Sequence, residues 1–267
     1  MKQLTEKQIT DNWNELRTIV NNTFSGDRLE KLNKMYDYFE DRMVMAPASG
    51  RATFHNAMVG GYVEHILHVV KNAQLLKDIW EKQGAMINFT DEELIFAALH
   101  HDLGKVGDLE HDYYVPQDND WRVKTLGEIF THNKELQYMT VTDRACWILQ
   151  HFGISMTQWE FIGLRLTDGL YEEANEKYLK GYNPDFGLRS NIAYILHQAD
   201  MMATHIESDQ WRAGDEVESK KVQNSVNKIK GAVDKQVEAN NEVKEKFNTK
   251  STDAKDIFNE LFGEPKK

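Results

Sequence analysis

His100, His101 and Asp102 stand side by side at the end of an apolar run, FAALHH, with Gly104 and Lys105 just beyond. Imidazole and carboxylate groups at the end of a buried helix are costly to desolvate unless a partner satisfies them. A divalent cation is such a partner, because neutral imidazole nitrogen and carboxylate oxygen together suit Zn, Mn, Fe, Co, Ni or Mg. Neighbouring side chains on a helix diverge by about 100°. Adjacent ligands therefore converge on one ion only at a helix end, and Gly104 is the expected stop. Taken alone, the pair also fits an ordinary polar helix end. Further metal-competent residues along the chain, His65, His132, His151 and Asp200, separate the two readings. Cys146 is the only cysteine. It can build neither an internal disulfide nor a thiolate-rich zinc site.

These residues need helices to position them. Four prolines and a repeated three-to-four spacing of apolar residues predict an all-α protein. A helix over about 5–23 would bury Ile9, Trp13, Leu16, Ile19 and Val20, and a second would bury Leu29, Leu32, Tyr36, Phe39 and Met43. After a loop at 46–56 rich in small residues, a long helix is expected over about 57–82. Val59, Val63, Ile66, Val70 and Ala73 form its core stripe, and Gly61, His65, His68 and Asn72 lie on another face. On that face His68 reads as solvated. Thr90 and Glu93 form a capping box that starts the helix ending at His101. Residues 113–124 alternate around DND and predict a small β-hairpin. Two short helices follow, one carrying Glu128 and His132 and the other ending at His151. Ser155 and Gln158 mark a third start, and 166–188 reads as a polar excursion. A strong helix after Ser190 places His197 and Asp200 one turn apart.

Three segments are expected: helices at 1–45 packing on the next, a functional domain at 46–210, and a charged helical extension at 211–267. In the last, Val222, Val226, Ile229, Val233, Val243 and Phe247 keep a three-four register. Ile257, Phe258, Leu261 and Phe262 give it an amphipathic end. Association with a second copy or a protein partner is expected through this extension. The net charge is −11, with −12 on residues 1–210 and +1 on residues 211–267. Tight binding of long nucleic acid, which needs many phosphates neutralised, is therefore not expected. The opening MKQLTEKQITDNW has no apolar signal core, and no run approaches the roughly 18 residues of a membrane span. No membrane partner and a cytoplasmic location are the corresponding expectations.

In chain order the metal-competent residues run H…HD…H…H…D. The strings GGYVEHILHVV, AALHHDLGK and ILHQADMMA carry the first histidine, the His-Asp pair and the last aspartate. Order and strings resemble the HD-domain superfamily of metal-dependent phosphohydrolases. PASGRATFHNAMVGGYVEH, with ILQHFG and ILHQAD downstream, is similar to the HD domain of certain 3′–5′ exoribonucleases. Those enzymes usually carry an OB-fold ahead of the HD domain, whereas the residues before 46 here read as helices. The resemblance spans roughly residues 46–206. It implies that His65, His101, Asp102 and Asp200 hold a first ion. His132 and His151 match the extra histidines of two-metal branches, in which the HD-motif aspartate bridges both ions. His132 departs from that pattern, lying in THNKEL. Lys105 matches a phosphate-facing lysine of HD-GYP proteins, although the GYP motif is absent. It also suits a helix C-terminus as a plain cation.

The implied chemistry is hydrolysis. One or two divalent ions would lower the pKa of water and neutralise phosphoryl oxygens. Asp102 would orient that water, and Lys105 with Arg51 would offset phosphate charge. No P-loop, dinucleotide fingerprint or nucleophile elbow is present in the sequence. The expected activity is cleavage of phosphoester or phosphoanhydride bonds in a small nucleotide or short oligonucleotide. The alternatives are a 3′–5′ exonuclease-like or cyclic-nucleotide phosphodiesterase activity, and a non-catalytic HD regulatory module.

Overall fold

A computed structural model of the chain describes residues 3–181, 185 and 187–213. The heptad-like stripe and the amphipathic end fall outside them. Contacts divide the chain into two units, 1–78 with 85–216 and 79–84 with 217–267. The first holds every site residue discussed below.

Helices α1 (Glu6–Thr23) and α2 (Gly26–Met45) form a hairpin. Thr5 and Gln8 close a capping box at the start of α1, satisfying two otherwise orphaned N–H groups. Trp13, Leu16 and Val20 of α1 and Leu32, Met35, Tyr36, Phe39 and Met43 of α2 are buried. Each large apolar side chain so covered stabilises the fold by roughly 1.5–3 kcal/mol. Arg28 then ties α2 to the next layer. Its guanidinium lies 2.6 Å from Glu160 and 2.9 Å from Glu92, and 4.3 Å from the Phe96 ring centre.

The centre is α4 (Asp91–His100), started by the Thr90–Glu93 capping box and buried without interruption from Leu94 to His100. A helix apolar all round must have neighbours on every side. Gly163 of α7 (Gln158–Arg165) lets that helix close on α4, since a Cβ there would stand 3.1 Å from the Ala97 Cβ. α3 (Gly61–Lys82) and α9 (Ile192–Ala213) complete the body, with α6 (Val141–His151) lying against the turn after α4.

The structure departs from the sequence reading in three local places. α3 begins at Gly61, and Val59 is exposed, because Gly60 (φ +78°) breaks the helix ahead of it. The DND segment makes no hairpin turn. Asn119 accepts from the N–H groups of Trp121 and Arg122 and caps a short helix, α5 (Asp120–Leu126). The strand partner therefore lies further on. β1 (Tyr114–Pro116) pairs antiparallel with β2 (Phe130–His132), placing Tyr114 opposite His132. His132 is thus on a strand, and Glu128 bridges Arg51 through the backbone. The third start is capped by Thr157 with Glu160. The excursion at 166–188 holds a short helix, α8 (Glu176–Leu179), anchored by buried Asn175 through Arg165 and the Gly169 carbonyl. Among the described residues the fold is all-α with this single two-stranded sheet, and no helix there is long and apolar enough to cross a membrane.

Candidate metal centre

α4 ends at His100, and the chain passes through His101 (φ −57°) and Asp102 (φ −103°, ψ 10°) into a 3-10 turn, Leu103–Val106. Gly104 is not the stop: α4 ends at His100 with His101 as its C-cap, and Gly107 (φ +96°) closes the 3-10 turn. Gly104 serves another purpose, since a Cβ there would stand 2.0 Å from the Val141 carbonyl oxygen. Its bare backbone lets α6 press against the turn that aims His101 and Asp102.

His100 and His101 take opposite directions. His100 turns into the core, where its Nδ1–H donates to the Phe96 carbonyl at 2.7 Å and its Nε2 accepts from the Tyr36 hydroxyl at 3.1 Å. Burial holds its pKa down at about 3. It is a neutral core histidine. His100→Ala should cost about 2–4 kcal/mol, from the cavity and the stranded Tyr36 hydroxyl, in urea denaturation. Divalent-metal affinity should stay at the wild-type value. A parallel loss of metal affinity would mean that His100 supports the site as well as the core.

His101 points the other way. Its Nδ1–H donates to the Ala98 carbonyl at 2.8 Å, which leaves Nε2 with a free lone pair. The His65 ring, fully buried on α3, lies 5.5 Å from it between centres. The Nε2 atoms of both rings are buried and make no aligned hydrogen bond among the described residues. Between them stand two carboxylates. Asp102 Oδ2 is 3.7 Å from His65 Nε2 and 3.6 Å from His101 Nε2. Asp200 Oδ1 is 3.2 Å from the first and 3.9 Å from the second. Ligand atoms about 2.1 Å from a shared ion stand roughly 3.0–3.4 Å apart; His65, His101 and Asp102 each offer a ligand atom within 4.8 Å of the others, and Asp200 approaches both imidazoles from α9. Orphaned imidazole nitrogens facing carboxylates deep in the protein are what a metal-binding group needs. The residues fit a divalent ion.

The electrostatics agree. Burial opposes charge on both aspartates, yet nearby positive groups win and both stay ionised below the usual carboxylate range. Lys105 acts most strongly on Asp102, and the His65 and His101 imidazoles on Asp200. Lys105 Nζ sits 2.6 Å from Asp102 Oδ2 and is itself held protonated against burial by that contact. Burial would lower the His65 pKa, but the Glu207 and Asp200 carboxylates bring it up to about 10, and a cation bound at Nε2 would take the place of the proton they hold there. The cluster attracts positive charge strongly.

Three residues at the site are given no role in the sequence reading. Glu207 binds His65 Nδ1 at 3.1 Å and His68 Nδ1 at 2.6 Å, so His68 is tied down and not simply solvated. The signal was available, since Glu207 is two helical turns beyond Asp200 and shares its face. His55, from the 46–56 loop, lies 4.6 Å from the His65 ring. Burial, then the charges of His65 and Lys105, push its pKa down to about 3. Asp168 is raised by burial and by the Asp102 and Asp200 charges, and it shares with Asp200 and His197 a cavity of about 170 Å³. Only the folded chain brings a polar TDG turn to that cavity.

The remaining sequence candidates lie elsewhere. His132 is exposed, stacked on Tyr113 and Tyr114 at 4.8 and 5.6 Å. His151 is exposed at the end of α6 against Trp147 and Phe152. Both lie outside the converging ligand groups of the described residues. The converging groups are His65, His101 and Asp102, and His55, His65 and Glu207, which share His65, and the expected second ion on His132 and His151 finds no support in either. Arg51 is exposed, its guanidinium 5.6 Å from the Phe54 ring centre. Because surface substitutions usually shift energies by less than about 0.5 kcal/mol, His132→Ala with His151→Ala should leave metal affinity within about twofold. A fall in stoichiometry from two ions to one in a metal titration would restore the second site.

Neither a curated protein nor a solved structure matches the chain. A family model described as HD domain matches residues 62–182. That segment contains His65, His101, Asp102 and Lys105 and stops short of Asp200 and Glu207. The match places an HD domain at residues 62–182 of the chain.

Proposed function

We propose that the protein is a metal-dependent hydrolase of phosphoester or phosphoanhydride bonds in a small nucleotide-type substrate. HD domains are typical of metal-dependent phosphohydrolases. The observation that carries the reading is the pair of buried, unsatisfied Nε2 atoms of His65 and His101 facing ionised Asp102 and Asp200. These four side chains would hold the ion. When bound, it supplies Lewis acidity toward a phosphoryl oxygen and lowers the pKa of water.

The protein's own groups do the rest. Lys105 keeps Asp102 anionic and places a fixed positive charge beside the centre, where a phosphate would be drawn. Asp168, raised by burial and by its acidic neighbours, lines the cavity it shares with Asp200 beside the centre. Lys105 also forms part of the wall of a cavity of about 270 Å³ lined by Met45, Pro47, Tyr113, Tyr114 and Phe130. Those rings suit a planar base, which favours a nucleotide over bare phosphate. The acidic charge of −11 favours small substrates over long nucleic acid.

The test is a panel of nucleoside mono- and triphosphates, cyclic nucleotides and short oligonucleotides, each assayed with Mn, Co, Ni, Mg and Zn. Metal-dependent release of phosphate, pyrophosphate or nucleotide from at least one substrate class is expected. Metal uptake without turnover of any of them would leave a binding module and remove the catalytic reading.

A further inference from the structure

Glu207 sits on α9 seven residues after Asp200 and is 2% exposed. Two imidazoles of α3 close on its carboxylate, His65 through Nδ1–H at 3.1 Å and His68 through Nδ1–H at 2.6 Å. Nearby, Asn72 of the same α3 face donates to the Ala199 carbonyl at 3.3 Å, so a further bond joins the two helices to one side of the carboxylate. His101, the other imidazole of the centre, uses a neutral backbone carbonyl for its Nδ1–H. His65 alone is given a full negative charge.

We propose that Glu207 is a positioning residue for the metal centre and that His68 anchors it. The proton on one ring nitrogen of a histidine decides what the other can do. By accepting from Nδ1–H, Glu207 keeps the Nε2 lone pair of His65 aimed between Asp102 and Asp200 and makes that nitrogen a stronger donor. His68 holds the opposite side of the carboxylate, so Glu207 cannot swing toward the ion and become a ligand itself. Without Glu207, the buried Nδ1 would lose its acceptor. The ring would then be free to carry its proton on Nε2, turning an N–H toward the centre. The inference rests on the metal reading of the cluster and assigns the two halves of one His–Glu–His relay different tasks.

Titration of the full-length chain with Co²⁺, followed by its visible d–d absorption, tests this. Glu207→Gln should lower cobalt affinity about 10–100-fold and shift the d–d bands, with the far-ultraviolet circular dichroism unchanged. His68→Gln, at a partly exposed position, should lower affinity several-fold with a smaller shift in the same direction. It carries the test if Glu207→Gln does not fold. Wild-type affinity and bands in Glu207→Gln, or in His68→Gln where only that variant folds, overturn the inference. Reduced affinity with unmoved bands also overturns it, because a merely structural role would give that result. A wild-type chain that takes up no cobalt overturns the metal reading and this inference with it.

Discussion

Asp102→Asn and His101→Ala should each abolish metal uptake and turnover while the protein remains folded. Asp102 Oδ2 lies within 3.7 Å of both orphaned imidazole nitrogens and 2.6 Å from Lys105 Nζ. One oxygen thus serves a ligand position and the neighbouring ammonium together. An amide has the same shape but no charge, so Lys105 loses its counter-ion and the ion loses an anionic ligand. Altering a residue that merely supports a ligand costs about 10–100-fold in metal affinity. Loss of a ligand should exceed about a hundredfold, and kcat/KM should fall by more than about 10³-fold, beyond what one stabilising hydrogen bond contributes. His101→Ala removes the second nitrogen, leaving the Ala98 carbonyl without its side-chain donor. Inductively coupled plasma analysis and steady-state kinetics on both variants are the measurements. Full metal content in either would show that the ion sits elsewhere.

Gly104→Ala should destabilise the fold strongly. The added Cβ would meet the Val141 carbonyl oxygen at 2.0 Å and the Val141 Cα at 2.9 Å. Backbone cannot step aside as a flexible side chain can, so the turn and the start of α6 must separate. Overpacking a tight interior typically costs 1–3 kcal/mol and occasionally more, and about 3 kcal/mol or more is expected here from denaturation curves. Because the turn also aims Asp102, metal affinity should fall even under conditions where the variant stays folded. Gly84→Ala is the contrast. Its Cβ would have nothing within 4 Å, so only the cost of φ +94° remains.

The sequence made α4 legible because its capping box and apolar run agree with each other, and the structure keeps both. His65, His101, Asp102 and Asp200 were grouped by the resemblance of their strings to the HD-domain superfamily, and the fold brings their side chains together. The sheet was half legible. Tyr114 was placed on a strand, but Asn119 caps a helix as readily as it makes a turn, and the choice depended on Phe130 finding Gly50 and β1. His132 and His151 were drawn in by their place in the resembling two-metal pattern, and a place in chain order says nothing about which way a ring faces. His55 and Asp168 reach the centre from loops with no periodicity to read. Glu207 lay on a readable helix face, but its role depends on two imidazoles from α3.

The account stands most directly on where an ion binds. Anomalous diffraction at the zinc edge, from crystals of the full-length protein grown with zinc, locates it without reference to activity. One peak is predicted, about 2.0–2.2 Å from His65 Nε2, His101 Nε2 and carboxylate oxygens of Asp102 and Asp200. A peak on His132 or His151 with none among those four side chains would contradict the account, as would density showing Lys105 alone filling the space between the two carboxylates.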